Sequence, residues 1–325
     1  MIDVSNLTFE YPDGTLALSN VTFKVRRCER VAILGENGSG KTTLFLCIVG
    51  LLRPRSGKVL IKGIEVNRKN EDTIRRIVGL VFQNPDDQVF LPKVYDDVAF
   101  GLRNMGLDEG EVRRRVTQTL RLLGIENLAD KSTSNLSLGQ KKRVAIAGVL
   151  AMDPEVILID EPTAGLDHRG ILEMFNILEE LNENGKTIVV STHDVEFVES
   201  WADKIVVLHR GRCVKVGDRS LLDELESFGM RKPIKRTIMS LFDFELSSAV
   251  VEISEDGKFG YGVDDVIPEI DIDLILLRGL HGPVKVKVSE SLYDRFLRIL
   301  REKGVEVIGD ERDKGGDNRG SVFEA

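Results

Sequence analysis

The stretch Gly35 to Thr42, GENGSGKT, limits the possible folds of this chain more than any other. It follows an apolar run, Val31 to Leu34, that reads as a buried strand, and it leads into Thr43 to Val49, which reads as a helix. A glycine, four residues, then glycine, lysine and serine or threonine is the phosphate-binding P-loop pattern. The chemistry needs that spacing because successive backbone N–H groups must turn inward on a phosphate while the following helix N-terminus adds its positive dipole. The expected nucleotide contacts are therefore Gly35, Glu36, Asn37, Gly38, Ser39, Gly40, Lys41, Thr42 and Thr43, with the three glycines permitting the close approach. Lys41 can reach the β- and γ-phosphates of ATP, and the Thr42 hydroxyl can ligate Mg²⁺. Strand, loop and helix in that order predict an α/β fold.

A second stretch answers to the first. Val156 to Asp160, VILID, is apolar until its last residue and is followed at once by Glu161. A parallel strand covered on both faces reads as a continuous apolar run, and acids at its carboxyl end project into the crevice where ligands bind. A P-loop upstream calls for such an acid on Mg²⁺, which assigns Asp160 to the metal, through water, and Glu161 to the attacking water as its general base or positioner. Three further residues each keep two readings at this level. Gln83, after the apolar run Ile77 to Phe82, is a ligand of Mg²⁺ and the attacking water, or a surface glutamine. His193, after the buried run Thr187 to Ser191, donates to the γ-phosphate, or is structural. Tyr11, at the turn Pro12-Asp13-Gly14, stacks on adenine or packs against its hairpin.

Bulk properties narrow the partners. A formal charge of −8 argues against nucleic acid or anionic lipid as the main contact. Three cysteines, Cys28, Cys47 and Cys213, lie far apart without metal-ligand spacing and read as core residues of a reducing compartment. No apolar run approaches the roughly 20 residues that span a bilayer, and the N-terminus starts directly with strand-like alternation. Membrane association is therefore expected only through a partner.

In chain order, Ile2 to Tyr11 and Ala17 to Val25 alternate as an antiparallel hairpin. Leu52 to Ile61 holds a turn and a short strand, and the polar stretch Asn67 to Arg75 leads to the run ending at Gln83. From about residue 84 to 150 the pattern turns helical, with Val112, Val116, Leu120 and Leu123 spaced by three and four. Arg169 to Asn184 reads as a helix, Ile205 to His209 and Val214 to Val216 as strands, and a short helix follows near Leu221. Beyond about Arg236, the strands Val284 to Val288 and Val305 to Ile308 and the amphipathic helix Ser291 to Lys303 suggest an accessory α+β domain over 237–308. From Gly309 the polar, glycine-containing tail is expected to be disordered.

Over roughly residues 1 to 235, Tyr11, the P-loop, Gln83, the LSLGQ of Leu136 to Gln140, VILIDE, the GLD of Gly165 to Asp167 and His193 stand in one order. That set resembles the ATP-binding cassette (ABC) family of transport ATPases. The resemblance implies a P-loop ATPase core, a mainly parallel sheet with an antiparallel β subdomain and an inserted helical subdomain, over 1–236. It also implies half-sites: ATP lies between two cassettes, identical or paralogous, with the P-loop of one facing Ser137, Gly139 and Gln140 of the other. Ser137 and the N–H groups of the helix after it form a further anion site. Leu138 stands where the family's signature has its first glycine, so its side chain must point away from the phosphate.

Within that family, QNPDDQVF and LSLGQKKRVAIAGVLAMDPEVILIDEPTAGLD look like the cobalt and energy-coupling-factor importers. That resemblance implies an integral membrane subunit docking near Gln83 to Gln88, a separate substrate-binding membrane subunit, a peripheral place on the cytoplasmic face, and uptake of a metal ion or vitamin. The acidic pair Asp86 and Asp87 either receives basic residues of the docking helices or is a solvated turn. Two other functions are distinguishable: a soluble cassette clamp in translation or DNA repair, which would bind ribosomes or DNA, and a nucleotide-gated module without turnover, suggested by Leu138.

Overall fold

The computed structural model of the protein describes residues 1–233, 287–288 and 321–322. The chain divides into two compact units, Met1–Lys232 and Pro233–Ala325, so the division falls at Pro233 where the sequence places it after Arg236.

The first unit opens with β1 (Ile2–Glu10), β2 (Leu16–Val25), β3 (Arg30–Leu34), α1 (Lys41–Ile48), β4 (Ser56–Ile61), β5 (Ile64–Glu65), α2 (Glu71–Ile77) and β6 (Val78–Val81). Three helices follow, α3 (Val94–Asn104), α4 (Glu109–Leu122) and α5 (Leu138–Leu150). The α/β alternation then resumes as β7 (Val156–Asp160), α6 (His168–Glu183), β8 (Thr187–Thr192), α7 (Val195–Trp201), β9 (Lys204–His209) and β10 (Arg212–Gly217), before a 3₁₀ stretch over Arg219–Phe228. The strands form a four-stranded sheet, β2-β1-β4-β5, and a six-stranded sheet, β10-β9-β3-β8-β7-β6. The first is antiparallel; the second is parallel from β9 to β6, with β10 antiparallel at its edge. The α/β P-loop ATPase core expected from the sequence is therefore present.

The pattern of β1 shows how the small sheet keeps one face inward. Ile2 and Val4 are buried, then Leu7 and Phe9, a break in strict alternation. The break is a bulge at Asn6, which takes φ +52, a left-handed conformation that asparagine tolerates better than most residues. The neighbouring strand accommodates it at Gly57, where a Cβ would lie 2.3 Å from the Asn6 carbonyl oxygen.

The six-stranded sheet separates two cores. Val31, Ile33, Leu158, Val189, Val206 and Leu208 face the layer formed with β1, β2, α1 and α2, whereas Ala32, Leu34, Ile157, Ile159, Val190 and Val207 face the helices α3 to α7. Strand residues alternate between faces, so strands covered on both sides need apolar residues throughout, as β7 and β8 have. The stripe Val112, Val116, Leu120 of α4 packs into the second core.

Two helices do not follow the sequence reading. Glu71–Ile77 is helical where a polar stretch was expected, with Glu71 and Asp72 in the first turn and Arg75 and Arg76 in the last, matching its dipole. Val195–Trp201 forms α7, started by Asp194, whose carboxylate accepts from the N–H groups of Glu196 and Phe197.

In the second unit, Lys287–Val288 (β11) and Ser321–Val322 (β12) pair antiparallel. The first lies in the expected strand Val284 to Val288. The second lies in the tail that the sequence reads as disordered. The other expectations for 237–325 lie outside the described residues.

Candidate functional site

Strand register assembles the site. Leu34 of β3 pairs with Thr192 of β8, and Ser191 of β8 pairs with Asp160 of β7. The P-loop leaves β3, the two acids end β7 and His193 follows β8, so the three segments emerge side by side at the carboxyl edge. A hydrogen bond from the Gly35 N–H to the Thr192 carbonyl, 3.2 Å, ties the first to the third.

The loop itself is shaped for a ligand. Gly40, with φ +101, is the N-cap of α1 and offers no side-chain cap, leaving first-turn N–H groups of that helix without an intrahelical acceptor. A Cβ there would sit 2.7 Å from the Ala17 carbonyl oxygen. Glu36, Asn37 and Gly38 are exposed, while Ser39 is buried. The Ser39 hydroxyl has no hydrogen-bond partner among the described residues, the kind of orphan donor that a phosphate oxygen satisfies.

Behind the loop lies a linked polar cluster. The Thr42 hydroxyl donates to Asp160 Oδ2 at 2.6 Å, and the Ser191 hydroxyl donates to Asp160 Oδ1. Lys41 Nζ donates to the carbonyls of Gly35 at 2.7 Å and Glu36 at 3.1 Å, and lies 3.3 Å from Glu161 Oε1. Glu161 also meets His193 Nδ1 at 3.0 Å and accepts from the Thr192 hydroxyl at 3.3 Å. Asp160 and Glu161 are each only 3% exposed, while Thr42 and His193 are exposed, so each buried carboxylate has one partner that reaches solvent. Buried carboxylates require such partners, since an unpaired one costs several kcal/mol. Glu161 takes φ +47, a strained conformation for a residue with a side chain, worth about 1–3 kcal/mol.

Of the residues singled out in the sequence, the structure brings together Lys41, Thr42, Asp160, Glu161 and His193. Tyr11 joins through its hydroxyl, 2.9 Å from Thr43 Oγ1, with its ring edge-on to Phe9 at 4.9 Å. Gln83 is exposed and makes no hydrogen bond with the cluster. Ser137 and Gln140 bond each other in a capping box at the start of α5, Gln140 N–H to Ser137 Oγ at 3.3 Å and Ser137 N–H to Gln140 Oε1 at 3.1 Å, and neither is bonded to the P-loop. Leu138 is 42% exposed and its side chain lies over Gly165, where a Cβ would come within 2.7 Å of Leu138 Cδ2.

The comparisons with known proteins bear on this arrangement. Residues 18–164 match the model of the ABC transporter family. The energy-coupling factor transporter ATP-binding protein EcfA of Methanocaldococcus jannaschii is 52% identical over 219 residues, covering 67% of this chain and 78% of that protein. The chain belongs to this family. Its counterpart in Carboxydothermus hydrogenoformans is 48% identical over 248 residues, 75% of this chain and 91% of that protein. Among solved structures, cbiO1 from Clostridium perfringens, part of the ABC transporter complex cbiONQ, is 41% identical with a TM-score of 0.64, covering 75% of this chain and 98% of that one. A dimeric ATP-binding cassette in a post-hydrolysis state with ADP and phosphate is 32% identical with a TM-score of 0.62, covering 67% and 99%. This ABC ATPase binds ATP, and its hydrolysis is coupled to transport. Among the described residues no helix is long and apolar enough to cross a membrane.

Sequence reasoning missed three polar partners of this family site. Ser191 and Thr192 are fully buried hydroxyls on the two carboxylates, and their signal was two hydroxyl residues ending an otherwise apolar buried strand. Lys142, 4% exposed, donates to the carbonyls of Glu161 at 3.0 Å, Pro162 at 3.2 Å and Ala164 at 2.6 Å. Burial pushes its ammonium down to about 8, against the upward pull of Glu161 and Asp160. Its only signal was a second lysine beside Lys141 at the start of an apolar helix.

Proposed function

We propose that this chain is one half of an ATP-driven clamp that powers uptake of a metal ion, cobalt or nickel, or of a vitamin through membrane subunits. The observation that carries the reading is the separation of two phosphate-binding features in one chain. The P-loop cluster is buried and internally bonded, whereas Ser137, Gly139 and Gln140 stand at an accessible helix start without a bond to it. In this reading ATP lies on Gly35 to Thr43 of one cassette, Tyr11 stacks on the base, and the second cassette, identical or paralogous, closes over the phosphates with Ser137. The dimeric nucleotide-bound relative supports it.

A Mg²⁺ ion fits the donor set. Thr42 Oγ1 and Asp160 Oδ2 are hard oxygen ligands 2.6 Å apart, and no cluster of three or more histidine, cysteine or acidic residues suited to a metal occurs among the described residues. Such a sparse protein contribution is what Mg²⁺ bound largely through substrate phosphates and water requires. Bound there, with Gln83 as a further ligand, the ion offsets charge on the transferring phosphoryl group. Glu161 takes the proton of the attacking water, Lys41 binds the phosphates, and His193 donates to the γ-phosphate.

Membrane partners are supported by the cbiONQ complex to which the solved relative belongs and by the surface after Gln83. Phe90 is 62% and Phe100 41% exposed, stacked edge-to-face at 5.0 Å, an apolar pair suited to a docking helix. Asp86 is paired with Lys141 at 2.6 Å, which leaves Asp87 as the acid available to a basic partner. In this reading the chain sits peripherally on the cytoplasmic face. The test is co-expression with candidate membrane and substrate-binding subunits, scoring uptake of labelled cobalt, nickel and vitamins. Uptake dependent on Glu161 and co-purification with an integral membrane protein are expected. Salt-sensitive binding to ribosomes or DNA with no membrane partner overturns the reading.

A further inference from the structure

Lys142 uses its full hydrogen-bonding capacity on one short segment. An ammonium has three N–H donors, and here all three meet backbone carbonyls of Glu161, Pro162 and Ala164, at 3.0, 3.2 and 2.6 Å. The segment needs holding, because Glu161 stands at φ +47. Its N–H is tied to the Ser191 carbonyl at 2.9 Å, and its side chain to Lys41, Thr192 and His193. The carbonyl side is held by Lys142 and, more weakly, by the Ala164 N–H at 3.3 Å.

One turn earlier on α5, Leu138 lies over Gly165, and a Cβ on Gly139 would meet Leu166 Cδ2 at 3.6 Å. Positions four apart share a helix face. The start of α5 therefore grips the turn at both ends, by hydrogen bonds at 161–164 and by packing at 165–166. A side chain of the same length without donors would fill the space but leave buried carbonyls short of partners, so bulk alone does not explain a buried lysine here.

We propose that Lys142 is a positioning residue for hydrolysis, fixing the backbone of Glu161 to the helix whose first residues are offered to the second cassette. Contact of that helix start with ATP on the partner is thereby transmitted to the water-activating carboxylate of the same chain. The inference rests on the reading of Glu161 as the base.

The full chain carrying Lys142→Met is compared with wild type, Lys142→Arg and Glu161→Gln. Expected for Lys142→Met are a kcat about ten- to a hundredfold lower, as for a misplaced catalytic group, a KM for ATP within about twofold, and amide hydrogen exchange accelerated at Glu161, Ala164 and Leu166 without nucleotide. Lys142→Arg, which keeps charge and donors, recovers most of the rate. Should Lys142→Met fail to fold, Lys142→Gln, with two donors, is expected to give an intermediate kcat and the same local exchange. A wild-type kcat in either variant overturns the inference, as does exchange that rises evenly over the whole chain. If Glu161→Gln hydrolyses normally, the reading of the base fails, while the exchange at 161–166 still reports on the tie itself.

Discussion

The P-loop cluster and the start of α5, the two regions proposed to meet phosphate, are built in opposite ways. Around Asp160 and Glu161, side chains from β7, β8, α1 and the turn after β8 converge, and the Thr42–Asp160 contact joins residues 118 apart in sequence. At Ser137 every side-chain bond is local, made with Gln140 three residues away, and the serine is exposed. The first region exists only when the sheet is in register; the second needs only a capped helix. A buried, self-satisfied cluster is fit to control one chain's chemistry, and an exposed capping box is fit to be used by another molecule.

The strongest way to break this contrast is Glu161→Gln. The amide keeps the shape of the side chain but cannot accept a proton, and kcat is expected to fall about a thousandfold with ATP binding retained. Phosphate release and nucleotide binding measured on the same preparation check it. Hydrolysis near the wild-type rate would remove the chemical role from the buried region.

Ser137→Ala probes the exposed region. Loss of the cap costs about 1 kcal/mol of stability, and loss of a donor to a developing phosphate charge lowers kcat about a hundredfold. ATP affinity of the isolated chain is expected to stay within about twofold, because Ser137 is not bonded to its own P-loop. A large drop in that affinity, measured by titration at low protein concentration, would merge the two regions into one site.

The contrast also explains what was legible beforehand. The P-loop, VILIDE and LSLGQ are contiguous, and each carries its chemistry in local spacing, so their residues could be named from sequence. The continuous apolar runs of β7 and β8 gave the parallel sheet for the same reason: burial on both faces is written in the strand itself. What stayed hidden depends on tertiary neighbours. Ser191 and Thr192 look like the polar end of a strand until register sets them against Asp160 and Glu161. Lys142 looks like a solvated lysine until the segment 161–164 folds over it. The helix Glu71–Ile77 was missed because it has a single fully buried residue, Ile74, and so hardly any apolar period.

Tyr11→Ala is expected to have a smaller effect, raising KM for ATP about tenfold if the ring stacks on the base, a contact worth about 1–3 kcal/mol. Tyr11→Phe keeps the ring and removes only the hydroxyl contact with Thr43, and is expected to bind ATP like wild type. Equal loss in both variants would assign the effect to the hydroxyl contact with Thr43 rather than to stacking of the ring on the base.

The last effect is on stability rather than on turnover, and it concerns the lysine that links the two regions. Burial moves the Lys142 ammonium from its ordinary 10.5 to about 8, so between those values the unfolded chain holds the proton and the folded chain does not. Stability from this group therefore rises as pH increases through that window, and is lost as pH falls through the folded value. The carboxylates of Glu161 and Asp160 oppose the shift and narrow the window if they draw closer. The melting temperature of wild type relative to Lys142→Met is expected to be level below about pH 8 and to climb toward pH 10.5, at about 2–4 °C per kcal/mol for a protein of this size. Taking the difference between the two proteins cancels the titration of the other lysines. A difference that stays flat over this range would mean that the three carbonyl acceptors and the two carboxylates offset the cost of burial and keep the ammonium charged.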